Sequence, residues 1–125
     1  MSSILRVVAS AVLCLHGLVH LLGTAVYFRL AEVPEFPYKT SLLGGRWDLG
    51  AAGIRVFGLL WAGTAIGFGI AAVAVLRDWP TWQRILVVVT LFSLVLTVLD
   101  WTVAYAGIVV NVGILLAMLV LLPRL

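Results

Sequence analysis

The chain has 125 residues, 64% of them hydrophobic and 10% charged, with a mean hydropathy of +1.23. Soluble domains run about 45–50% apolar and about 25% charged, so too few polar residues remain here to coat a water-facing surface. The net charge is +3 and the eight basic residues are scattered singly, so the chain has no basic tract of the kind that holds nucleic acid.

Four segments reach, or nearly reach, the roughly 20 residues that a helix needs to cross a hydrocarbon core about 30 Å thick. The expected fold is all-α: one integral membrane four-helix bundle over residues 1–125, with spans at 5–30, 49–76, 83–104 and 107–122. The first apolar run, of about 22 residues, exceeds the roughly 7–15 of a signal-peptide core, and no small-x-small cleavage site follows it, so it reads as a span. Inside it His16 and His20 stand four positions apart, on one helix face and one turn from each other. Polar groups are costly in hydrocarbon, so this face should turn towards protein. Ala9, Gly23 and Tyr27 continue the same stripe. Cys14, the sole cysteine, lies deep in this span and reads as inert packing.

Residues 31–48 form the one long connection. Pro34 and Pro37 hold the residues before them extended. The stretch Gly44-Gly45-Arg46-Trp47-Asp48 reads as a surface loop with Trp47 at headgroup depth. In the second span Gly63, Gly67 and Ala71 make a small-xxx-small face. That face serves packing within the bundle, a homo-oligomer or a membrane partner. Arg55, one to two turns inside the span, can snorkel or pair with an acid. Residues 77–82 form a tight turn. The third span carries Thr90, Ser93, Thr97 and Asp100 at steps of three, four and three. Gly107 is the punctuation before the fourth span, which holds Asn111 and is stopped by Pro123.

Four spans place both termini on one side with Arg6, Arg77, Arg84 and Arg124. Arg29, Lys39 and Arg46 fall on the other side once Arg55 is assigned to the membrane. Because topology follows Lys and Arg, the expectation is a multi-pass protein of the cell membrane with cytoplasmic termini. Trp79 and Trp82 mark one headgroup layer; Tyr27, Tyr38, Trp47, Trp101 and Tyr105 mark the other.

Chain direction brings His20, Arg55, Asp100 and Asn111 towards one half of the bilayer from four helices. Together with His16 they form the candidate ligand-binding or polar cluster. Arg55 and Asp100 are expected to pair, with Asn111 and His20 completing their hydrogen bonds, since an unpaired buried charge is costly. The histidine pair also invites a metal reading, with Asp100 as third ligand. Two ligands are not a site, and the expectation is that no metal site forms. Histidines on adjacent turns cannot supply both axial positions of one haem iron. No phosphate-binding loop, nucleophile elbow or Ser–His spacing appears, so no catalytic residue and no cofactor is assigned.

The run His16-Gly17-Leu18-Val19-His20-Leu21-Leu22-Gly23, then Leu30-Ala31-Glu32-Val33-Pro34, Gly58-Leu59-Leu60-Trp61, and Ala106-Gly107 followed by Asn111 resemble a group of small bacterial four-helix membrane proteins. Where that group often carries an Asp-Ala-Lys-Phe-Gly-like run, this chain has Val103-Ala104-Tyr105-Ala106-Gly107 and lacks both charges. More loosely, the layout resembles DoxX-type membrane proteins, some of which are linked to quinone-dependent redox systems. The resemblance implies the fold; function does not follow from fold.

Three functional expectations result. The first is a binding or accessory protein that holds a ligand or partner at the polar cluster. The second is a membrane redox subunit using a quinone or metal near His16 and His20. The third is a small transporter or channel subunit, which would need oligomers to line a path.

Overall fold

The computed structural model describes residues 1–121. It contains α1 (Ser3–Tyr27), β1 (Ser41–Leu42), β2 (Trp47–Asp48), α2 (Gly50–Leu76), α3 (Trp82–Leu99) and α4 (Trp101–Leu121). All four helices are long and apolar enough to cross a bilayer. The architecture is an all-α bundle of membrane-spanning helices with one small antiparallel hairpin. The expected end of the fourth span at Leu122, the stop at Pro123 and the side marker Arg124 lie outside the described residues.

Local chemistry sets the helix ends. Ser2 caps α1 by accepting the Leu5 N–H at 3.1 Å. At the other end Arg29 takes a left-handed conformation, φ +57°, and Leu30 N–H returns to Ala25 C=O at 2.8 Å. This is the Schellman closure that usually uses glycine. Here the Arg29 guanidinium sits 4.7 Å from the Tyr38 ring centre. The end of α2 repeats the device, with Asp78 at φ +52° and Trp79 N–H on Ala74 C=O. Asp78 also meets Arg6 at 3.6 Å. In the hairpin, Ser41 pairs with Asp48 and Leu42 with Trp47, around a tip in which Leu43, Gly44 and Gly45 all have positive φ. The surface loop expected over 31–48 thus contains ordered strands. It is pinned inward by Leu43 N–H on Leu99 C=O at 2.9 Å, and Leu42 is buried.

Helices pack as chain neighbours: α1 on α2, α2 on α3, α3 on α4. The α1–α2 contact is the most intimate. Ser10 Oγ donates to Ala72 C=O at 2.9 Å, and Thr24 Oγ1 donates to Gly58 C=O at 2.8 Å, in one antiparallel register. Between them the two glycines of the His16–Gly23 run let the backbones close. A Cβ on Gly17 would lie 3.1 Å from Ala65 C=O and 3.0 Å from the Phe68 side chain. A Cβ on Gly23 would lie 2.8 Å from the Trp61 indole. No comparable packing among the described residues joins α1 to α4. Leu15, Leu18, Ile66, Val88, Val95, Val109 and Leu119 face outward, as lipid requires and water would not favour.

Two expectations are corrected. The break between the third and fourth spans falls at Asp100, not between Ala104 and Gly107: α3 ends at Leu99 and α4 starts at Trp101. The Asp100 carboxylate is drawn into ion pairing, which ends the helix there, and the irregularity further on is a non-helical Ala104 inside α4. Gly107 is mid-helix, where a Cβ would lie 2.9 Å from Thr97 Cγ2. Cys14 faces outward rather than into the packing. Tyr27 at the end of α1 and Trp82 at the start of α3 are both buried within the bundle. The small-residue face is split: Ala71 is buried and Gly67 faces Val89 of α3, whereas Gly63 opens outward.

Candidate ligand-binding site

The inward stripe of α1 meets that of α3. Residues Thr90, Ser93, Thr97 and Asp100 are all buried, as their three-and-four spacing dictates. Asn111 reaches in from α4 and is fully buried. Their side chains sort into two separate layers.

The deeper layer is a closed ring of hydrogen bonds. His20 Nδ1 lies 2.7 Å from the His16 carbonyl, and a carbonyl only accepts, so Nδ1 carries the proton. His20 Nε2 is then an acceptor and takes the Ser93 hydroxyl proton at 2.7 Å. Ser93 Oγ in turn accepts from Asn111 Nδ2 at 2.8 Å. Asn111 Oδ1 accepts from His16 Nε2 at 2.9 Å, which returns the circuit to the residue where it began. Every donor points the same way round, and His20 is neutral in this arrangement. The second Asn111 N–H reaches Thr97 Oγ1 at 3.3 Å, and that hydroxyl donates back to Ser93 C=O at 3.0 Å. Three helices are thereby tied across the core. The rings are held by aromatic neighbours: His16 and His20 meet edge-on at 4.7 Å, Trp61 lies 5.0 Å from His20, and Phe68 packs on both.

The second layer sits at the loop end, about 10 Å further along α1 by helix rise. Asp100 receives the Tyr27 hydroxyl on one oxygen and the Lys39 ammonium on the other. Lys39 also donates to Tyr27 Oη at 2.8 Å, closing a triangle. The Asp100 side chain is fully buried, whereas that of Lys39 is 24% exposed. The triangle fastens the 31–48 connection onto the bundle. Outside the bilayer, Asp48 accepts the Gly50 N–H at 3.0 Å, which holds its carboxyl below the usual carboxylate range.

The expected Arg55–Asp100 pair does not form. The buried positions of α2 run Ile54, Phe57, Gly58, Trp61, Thr64 and Phe68, and Arg55 lies off that stripe and is exposed. Lys39 takes its place. Nothing in the spacing of a lysine within a long loop reveals the depth it will reach; the apolar neighbours of Asp100 gave the only hint that some cation had to come. Tyr27 was on the predicted inward stripe, but its hydroxyl role was not visible. Of the five candidate cluster residues, His16, His20 and Asn111 come together, Asp100 joins the other layer, and Arg55 joins neither. Asp100 is therefore not beside the histidines as a third ligand. Among the described residues no group of three or more His, Cys, Asp or Glu side chains converges. His20 spends both ring nitrogens on hydrogen bonds, and a metal there would have to displace them.

Beside the ring is a cavity of about 420 Å³ in the seam between α1 and α4. Its floor is His16, His20, Thr97 and Trp61; its far wall is Val103, Ala104, Ala106, Gly107 and Val110; Val33, Glu35 and Phe36 of the fastened loop close one end. The space exists because α4 carries small residues on this face and bends at Ala104. One lining residue has an unsatisfied polar atom: Trp61 is only 4% exposed, and its indole Nε1 is buried with no hydrogen-bond partner in the protein. Buried polar atoms are seldom left so. Sequence reasoning passed over Trp61, since a tryptophan in an apolar helix reads as packing.

No protein-family model, no curated protein and no solved structure matches this chain.

Proposed function

We propose that this is a membrane-embedded binding protein of accessory type, which holds a small lipophilic molecule in the cavity between α1 and α4. The observation that carries the reading is the cavity itself: about 420 Å³, mostly apolar, placed against a rigid polar floor of His16, His20 and Thr97. Ligand sites are apolar clefts of roughly 300–1,000 Å³ with a few fixed polar groups, and this one falls within that range. The hydrogen-bond ring holds that floor in one geometry before any ligand arrives, which lowers the ordering cost of binding. The lipid-facing seam offers a lateral way in from the bilayer. The termini lie in the cytoplasm in this reading. Arg6, Arg77, Arg84 and Arg124 favour that side over Arg29, Lys39 and Arg46, of which Lys39 is bound to Asp100.

Native mass spectrometry of the protein released from its own membranes tests the reading. A small molecule should be retained by the wild type and lost from Ala106→Phe, whose ring fills the cavity, while the helical circular dichroism is unchanged. Spectra of the two proteins with the same bound species would contradict it.

A further inference from the structure

The polar atoms left open in the cavity also specify the head group it takes, an inference that rests on the binding reading above. His16 Nε2 meets Asn111 Oδ1, and the orientation of that amide is fixed. The Thr97 hydroxyl gives its proton to the Ser93 or Leu94 carbonyl, so its oxygen can only accept from Asn111 Nδ2. His16 therefore carries a proton on Nε2, and its Nδ1 has no partner among the described residues. The unpartnered side-chain atoms that are sealed from contact are Arg6 Nε, Trp61 Nε1 and Thr90 Oγ1. His16 Nδ1 is not one of them, and its ring lines the cavity. No carboxylate lies within ion-pair distance of that ring among the described residues. A second proton there would be a buried charge without a partner, so Nδ1 presents a lone pair. The other open polar side chain of the lining is Glu35, exposed at the loop end, and a carboxylate likewise accepts without donating. Both His20 nitrogens and the Thr97 hydroxyl proton are already engaged.

We infer that the cavity takes an amphiphile whose head group donates an O–H or N–H to His16 Nδ1, with its apolar part against Val103, Ala106 and Val110 of α4. Head groups that only accept, such as ketones and carboxylates, find no open side-chain donor in the lining. An alcohol and an ammonium share the donating chemistry. Glu35 separates them, since its charge favours the cation and is indifferent to the alcohol.

The test is nitrogen NMR in bicelles. His16 and His20 are the chain's two histidines, so ¹⁵N-histidine labelling shows four ring nitrogens. The rings hold their protons on opposite nitrogens, and couplings to the ring protons therefore assign them without a variant. Probes are 1-dodecanol, dodecylamine, 2-dodecanone and dodecane, at matched mole fraction in the lipid. A donating probe should move His16 Nδ1 upfield and saturate, while the other three nitrogens hold still. 2-Dodecanone and dodecane should leave Nδ1 in place. A response to dodecanol that survives Glu35→Gln supports the inference with a neutral ligand; a response to dodecylamine alone, lost in Glu35→Gln, supports it with a cation. Ala106→Phe should abolish the shift with all four resonances at their starting positions, which separates a filled cavity from a misfolded protein. If Nδ1 is protonated before any probe is added, or stays fixed while the backbone amides of residues 103–110 respond to the probes, the head-group inference is overturned and the binding reading stands. Silence from both Nδ1 and residues 103–110 with every probe overturns both.

Discussion

His20 shows how a polar side chain becomes tolerable in hydrocarbon. Each of its nitrogens has one partner of the complementary kind, and the partners are themselves satisfied. Removing one member leaves others stranded. Asn111→Leu exposes the His16 N–H and one Ser93 lone pair to an apolar interior, and should destabilise the fold by about 1–3 kcal/mol, the cost of an unsatisfied buried group. Unfolding by a denaturing detergent, followed by circular dichroism, measures it; a change within about 0.5 kcal/mol would mean that the ring contributes no more than a surface contact. At the loop end the pairing is equally specific. A double-mutant cycle should give Lys39 and Asp100 a coupling of about 1–3 kcal/mol, between the exposed and fully buried limits because Lys39 is partly solvated. The same cycle with Arg55 and Asp100 should give a coupling near zero. Which residues face inward was legible from spacing alone: His16 with His20, and Thr90 through Asp100. Which residue answers Asp100 was not, because periodicity fixes a helix face but says nothing about how far a loop lysine reaches.

Among the elements, α1 and α2 form the most closely packed pair. The glycines of the His16–Gly23 run explain why. Gly23→Ala places a methyl 2.8 Å from the Trp61 indole and should cost about 1–3 kcal/mol, as overpacking does. Gly63→Ala meets open space and should stay within about 0.5 kcal/mol of the wild type. Thermal unfolding of the two variants side by side distinguishes them; equal loss would mean that glycine itself, not the contact, is what matters. The four apolar segments were legible because length and hydropathy suffice to find spans. The junction between α3 and α4 was not, since Asp100 ends a helix through a tertiary ion pair and the local sequence there shows neither proline nor glycine. The bend at Ala104 was equally hidden, and with it the cavity, whose wall is a run of residues that would serve a straight helix as well.

For the whole molecule, the polar ring and the Lys39–Asp100–Tyr27 triangle act at different levels of the bundle, and both engage α1 and α3. The ring fixes α1, α3 and α4 at the middle of the bundle. The triangle holds the long connection over the end of the cavity. A fluorescent reporter in the hairpin tip and one in the Arg77–Trp82 turn should emerge on opposite sides of the membrane, as an odd number of crossings between them demands; the same side for both would refute the four-span architecture. The most direct test of the cavity as a ligand site is the indole ¹⁵N–¹H resonance of Trp61 in bicelles, assigned by its absence in Trp61→Phe. On titration with the small molecule recovered from the wild-type protein it should shift and saturate as the cavity that Trp61 lines is filled, while the indoles of Trp47, Trp79, Trp82 and Trp101 hold still. A Trp61 resonance that stays fixed while the exposed indoles drift would contradict the account.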